Sequence, residues 1–355
     1  MQRRKFIENV TAGSFALAMP ALPSFGYLPP ETRFGVAHAS YMMRAYRNIP
    51  SELYPPFKNS MELIEHSAEL GFGGVQAGIG GWDKKFSKKA RNRAEELNIF
   101  LEGQVSLPKT ASETDRFEND ISAAKEAGID IVRTACLSGR RYETFDSMEA
   151  FQEFKKNSIA SLERAEPIVR KHKIKLAVEN HKDWRIDEMI AILNGIGSEW
   201  VGVTLDTGNN ISLLEDPMEV VKSLAPYSFS VHLKDMAVEE YVDGFLLAEV
   251  NLGEGYLDIE GMISEIRKQN SDIRFNLEMI TRDPLKVPCL TEKYWATFDQ
   301  ISAKELGRYL HQVRTQKSKN KLSVISDKTS DDQLALEVEN NKICLNLAKQ
   351  NYGFR

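Results

Sequence analysis

The sequence predicts an α/β fold, a closed (β/α)8 barrel, and three observations carry that reading. Short apolar runs alternate with longer charged stretches of helical periodicity. The runs number eight within roughly 250 residues, and carboxylates, histidines and amides gather at the C-terminal ends of the last four. Runs rich in Val, Ile and Leu between helices imply parallel strands buried on both faces.

In order, the first four runs are RFGVAHAS (33–40), GGVQAGI (73–79), IFLEGQVSL (99–107) and DIVRTACL (130–137). The second four are IKLAVEN (174–180), VGVTLDTG (201–208), SFSVHLKD (228–235) and RFNLEMI (274–280). Stretches such as SMELIEHSAEL and FQEFKKNSIASLERAEPIVRKH read as the helices between them, and Gly71, Gly128 and Gly195 fall where left-handed residues would end helices. A doubly wound sheet would announce itself with a Gly-rich phosphate loop, and neither GxGxxG nor GxxxxGK[ST] occurs, so no nucleotide cofactor is expected. After Ile280 the alternation weakens. Residues 31–290 are therefore assigned to the barrel, and residues 291–355 to a helical extension packed on it.

The flanks and the composition bound the function. Arg3 and Arg4, then Phe6, Ile7 and a small-residue apolar stretch, resemble a twin-arginine export signal over residues 1–30, implying an exported, periplasmic protein. The apolar part is shorter than the ~20 residues of a membrane span, so no stable anchor is expected. The net charge of -5 gives no basic surface for nucleic acid. Cys136, Cys289 and Cys344 are widely spaced, without a CxxC pair, and read as buried small residues. A homo-oligomer is compatible with all of this.

In such a barrel the chemistry sits where strands end. The fifth run ends in Glu179-Asn180-His181, the sixth in Asp206-Thr207-Gly208-Asn209 and the seventh in His232-Leu233-Lys234-Asp235, while the eighth carries Glu278. Alternation puts Glu179 and His181 on one face, and likewise His232 and Lys234. Glu179, Asp206, His232 and Glu278 thus offer one donor each at matching depth. Three uncompensated carboxylates converging there would have to be protonated or share a cation. An oxygen-rich set with one imidazole suits Mn²⁺, with Mg²⁺, Co²⁺ or Zn²⁺ as alternatives.

The ordered motifs VEN, LDTGN, VHLKD, GEG and NLE resemble the xylose isomerase-like TIM-barrel superfamily, in particular its sugar isomerase/epimerase branch, over about residues 33–285. The resemblance implies that Glu179, Asp206, His232 and Glu278 are metal ligands. It further implies that Glu179 and Glu278 are the proton-transfer pair, acting on a small sugar or keto-sugar. His181 is a candidate for substrate hydroxyls or a proton shuttle, or for orienting a ligand. Lys234 reads as a base, an oxyanion partner or a salt bridge to a barrel carboxylate. Arg133, His38 and Glu254, the last on a Gly-flanked loop, are further substrate-binding candidates, and Asp235 is expected to face outward and cap a loop. Ketose 3-epimerases show a histidine where this chain has Asn209, which leaves Asn209 as a substrate contact and opens a second reading: elimination from 3-keto-glycosides on the same metal. A non-catalytic sugar-binding barrel is the third.

Overall fold

The computed structural model describes residues 33–299, 301–319 and 321–355; the segment read as an export signal lies outside them. Four strands open the fold: β1 (Phe34–Ala37), β2 (Gly74–Gly78), β3 (Phe100–Gln104) and β4 (Ile131–Thr134). Then come β5 (Lys175–Glu179), β6 (Val201–Asp206), β7 (Ser228–Leu233), a hairpin of β8 (Asp235–Tyr241) and β9 (Gly244–Val250), β10 (Arg274–Leu277) and β11 (Leu285–Val287). Strands β1–β7 and β10 close a parallel barrel in the order β1-β10-β7-β6-β5-β4-β3-β2. Each of the eight predicted runs supplies one stave. Among the described residues no helix is long and apolar enough to cross a membrane.

Outward strand residues such as Val75, Leu101, Val132, Leu176, Val203 and Val231 are buried under the helix layer, and together with it form the main core. The barrel interior is different: its lower end is filled by the Phe100 ring, which lies across Gly74, where a Cβ would sit 2.2 Å from ring atoms. Above it comes a polar layer of Gln76, Glu102, Ser230 and Asn276, all fully buried. Helix ends follow the sequence signals at Gly71 (φ 95°) and Gly128 (φ 73°). Gly195 does not end its helix. That helix runs Ile186–Ile196, because Ile196 still packs on the core, and Gly197 takes the left-handed position instead.

The segment between the seventh and eighth runs is a hairpin that pairs with β11 in a three-stranded sheet. Its apolar face, including Val238, Phe245 and Leu247, forms a second core with Tyr294, Tyr309 and Val313. Asp235 starts this hairpin and caps a loop as expected, and it is fully buried there. Its carboxylate accepts backbone N–H groups from Met236, Gly253, Gly255 and Leu257 at 2.8–3.2 Å.

The helix Ser330–Asn351 packs against β10 and the turns His38–Tyr46 that follow β1, partly through buried polar contacts. Glu337 accepts from Met43 N (2.7 Å), and Asn341 donates to Ser40 O (2.9 Å). Ser40 Oγ in turn donates to Leu277 O (2.9 Å) and accepts from Met279 N (3.0 Å), bracketing Glu278.

Replacing Asp235 by Ala leaves buried N–H groups without acceptors, which costs on the order of 3 kcal/mol. Urea unfolding should report this as a lower midpoint with an unchanged slope.

Candidate metal centre

The side chains of Glu179, Asp206, His232 and Glu278 meet above the polar layer, and one ligand atom from each lies within 4.8 Å of the others. Local structure aims each atom. Asn180, on the other face of β5, donates to Asp206 O (3.0 Å) and accepts from Asp206 N (2.8 Å), locking the end of β6. Asp206 Oδ1 is consumed by the N–H groups of Gly208 (2.9 Å) and Asn209 (2.7 Å), which leaves Oδ2 facing the centre. His232 Nε2 contacts Gln76 Oε1 at 2.8 Å, and the Gln76 amide nitrogen donates to Glu102 (3.1 Å). That direction gives Nε2 the proton and leaves the Nδ1 lone pair pointing inward.

His232 Nδ1 and Asp206 Oδ2 are both buried without a well-aligned hydrogen bond, although Nδ1 lies 3.1 Å from Glu278 Oε1 and Oδ2 lies 2.8 Å from Lys234 Nζ. Buried polar atoms are rarely left so, and a divalent cation would satisfy both. Three carboxylates and one imidazole fit such an ion. The premise that the carboxylates are uncompensated is corrected, however. Arg133 Nε lies 2.5 Å from Glu179 Oε2, and Lys234 Nζ lies 2.8 Å from Asp206 Oδ2 and forms a short bond with Glu278. Of the readings of Lys234, the structure shows the salt bridge.

These partners set the ionisation. Burial raises Glu179, but the Arg133 guanidinium outweighs it and holds the carboxyl at about 2. Burial also raises Glu278, and Lys234 and His232 more than reverse it, so this carboxyl stays well below the usual range. At Asp206 burial prevails over Lys234 and pushes the group up to about 6. Burial lowers His232, yet Glu278 and Glu179 reverse it and raise the imidazole above its ordinary value. A cation entering the site therefore displaces protons.

A cavity of about 1140 Å³ opens over this layer; Glu278 borders it, as do Arg133, His181 and Lys182. His181 carries a buried Nδ1 without a hydrogen bond, and burial followed by the Lys182 ammonium lowers its pKa to about 3. Asn209 donates to Glu179 (2.9 Å), and its oxygen accepts a short bond from Lys182 and a longer one (3.4 Å) from Lys234. Two of the remaining candidates lie apart from the cavity. His38 accepts from Gly78 N (3.3 Å) and stacks on Tyr46, and burial holds its pKa at about 4, which marks a structural histidine. Glu254 is exposed on its turn and accepts from Asn251 within the same loop (3.2 Å).

Sequence reasoning missed Lys182 because it extended strand alternation past Glu179. The strand stops there, so His181 and Lys182 both reach the cavity. Gln76 was visible only as the one polar side chain inside GGVQAGI.

The xylose isomerase-like TIM barrel family matches residues 64–297. This chain is a member of that family. The xylose isomerase-like barrel is 26% identical over 245 residues to a 3-oxo-isoapionate decarboxylase from Pectobacterium atrosepticum, covering 67% of this chain and 82% of the relative. A D-psicose 3-epimerase crystallised in the presence of D-fructose superposes with a TM-score of 0.57 at 14% identity, over 91% of this chain and 100% of that one. A xylose isomerase-like protein from Mycobacterium smegmatis in complex with magnesium gives 0.55 at 16% identity, over 79% and 98%. These structural likenesses carry the fold.

Two measurements check the centre. Gln76→Leu frees the His232 ring and should weaken divalent-metal affinity about 10- to 100-fold by calorimetry. Below pH 6 the metal-free protein holds a proton on Asp206. Affinity should then fall by at least about tenfold per pH unit as acidity increases, with proton release on binding, and the raised His232 imidazole should extend the pH dependence above the Asp206 transition.

Proposed function

We propose that this chain is a divalent-metal-dependent enzyme of the isomerase/epimerase type, which removes a proton from the carbon next to a sugar carbonyl. The observation that carries the reading is the convergence of Glu179, Asp206, His232 and Glu278 beside a cavity that Glu278 borders and that is large enough to admit a sugar. A divalent ion on these four residues, Mn²⁺ by preference, supplies positive charge opposite the substrate oxygens that become negative as the C–H bond breaks.

The protein's own groups do the rest. Glu278, kept ionised by Lys234 and His232, accepts the proton at the cavity side. Glu179, kept ionised by Arg133 and oriented by Asn209, is the second carboxylate of the pair. His181 Nδ1 is free to bond a substrate hydroxyl. The arginine pair at positions 3 and 4 supports an extracytoplasmic setting for this chemistry.

A second reading has its own support. Proton loss from a 3-keto-glycoside would generate the same anion, which then expels the aglycone. Asn209 in place of the epimerase histidine favours this, as does the likeness to a relative named as a 3-oxo-isoapionate decarboxylase rather than as an epimerase.

The test is solvent exchange. Metal-loaded protein in D₂O should introduce deuterium next to the carbonyl of at least one ketose or 3-keto-glycoside in a broad panel, and Glu278→Gln should slow this by about 10²- to 10⁴-fold. Exchange that survives chelation, or that is indifferent to Glu278→Gln, would overturn the proposal; aglycone release accompanying exchange selects the elimination.

A further inference from the structure

The charged lining of the cavity is lopsided: Lys109, Arg133, Arg140, Lys182 and Arg282 border it, against the single carboxylate of Glu278. Three of the cations are already matched. Arg133 is paired with Glu179, Arg140 Nε lies 2.7 Å from Glu143, and Arg282 Nε lies 3.2 Å from Glu249. Lys109 is exposed, where water and salt screen it.

Lys182 is the exception. It is 2% exposed, sits where the chain leaves β5, and makes no ion pair among the described residues. Its only hydrogen-bond partner is the neutral amide oxygen of Asn209, which leaves two ammonium protons to satisfy. A buried ammonium with no carboxylate at ion-pair distance is costly to maintain: burial, Lys234 and Arg282 oppose its charge more than Glu249 and Asp206 favour it, and Lys182 borders the substrate cavity. Arg282 borders the same cavity, and its planar guanidinium retains donors beyond those that hold Glu249. Glu278 cannot serve as the missing anion, because Lys234 already neutralises it.

A neutral sugar would leave Lys182 uncompensated in the closed complex. Phosphate is the poorer fit for the vacancy. It carries about two charges and is usually cradled by successive backbone N–H groups, whereas a single ammonium beside a guanidinium matches one carboxylate.

We propose that the substrate of this site is a sugar acid, its carboxylate seated on Lys182 with Arg282 beside it. The inference rests on the metal-dependent reading above and adds the substrate class to it. The cation centre then takes the carbonyl end of the molecule, and the basic wall takes the acid end. Lys182 acts as a binding and specificity residue rather than as the base.

The experiment uses three probes identical from C2 to C6: 2-keto-D-gluconate, D-fructose and D-fructose 1-phosphate, titrated calorimetrically into the metal-loaded full chain. The expected result is at least tenfold tighter binding of 2-keto-D-gluconate than of the other two. Lys182→Met should abolish that preference and Lys182→Arg should keep most of it, with one metal per chain in each variant reporting an intact barrel. Equal or tighter binding of D-fructose overturns the inference. So does a preference for the phosphate, a preference that survives Lys182→Met, or binding of none of the three. Parallel D₂O exchange separates the two proposals. Exchange with no acid preference defeats this one alone, whereas an acid preference that depends on Lys182, with no exchange in any substrate, defeats the proton chemistry and leaves the carboxylate site standing.

Discussion

Everything at the mouth of this barrel depends on keeping several charges ionised in a layer that water does not reach. Isolated, any one of Glu179, Asp206 or Glu278 would protonate rather than remain charged in such surroundings. Arg133 answers Glu179, and the Lys234 ammonium lies between Asp206 and Glu278. The resulting lattice of alternating charges fixes side-chain positions more tightly than packing alone, because displacing one member strands its partner. Two inward-facing atoms, His232 Nδ1 and Asp206 Oδ2, meet charged partners there without a well-aligned hydrogen bond.

The layer below shows how far the organisation extends. Glu102 accepts from Gln76, Ser230 and Asn276, and Gln76 steers the imidazole above. Burial raises the Glu102 carboxyl, with Arg274 and these donors opposing it. The barrel interior is therefore hydrogen-bonded rather than greasy between the Phe100 plug and the donor cluster. The apolar stabilisation comes instead from the outer faces of the strands against the helices.

Much of this was readable in the chain. Eight short apolar runs alternating with helix-periodic stretches point to the barrel, because parallel strands buried on both faces read as near-continuous apolar segments. The four inward donors were readable too, since each lies on the inward parity of a strand end. What escaped has physical causes. Lys182 lies past the end of β5, in an isolated bridge to Arg140, where the parity of the strand no longer governs direction. The hairpin Asp235–Val250 pairs mostly with itself and with β11, a partner more than thirty residues away that no local pattern announces. Glu254 looked functional because glycines flank it, but those glycines serve Asp235, whose carboxylate gathers their N–H groups. The same architecture hosts epimerases and a decarboxylase among its relatives, so fold alone does not choose the reaction. The Asn209 amide, gripped by two ammonium groups, is where this chain departs from the epimerase pattern.

The brace running from Asn341 through Ser40 to the backbone on either side of Glu278 joins partners separated by 301 and 237 positions. Contacts of such long range are the slowest to form, since each must first close a large loop of chain. A barrel whose staves have paired but whose helix Ser330–Asn351 has not docked would hold its ligand-bearing strand end unsupported. Competence at the mouth would then arrive only with the final docking step, and a partly assembled molecule would be silent rather than indiscriminately reactive.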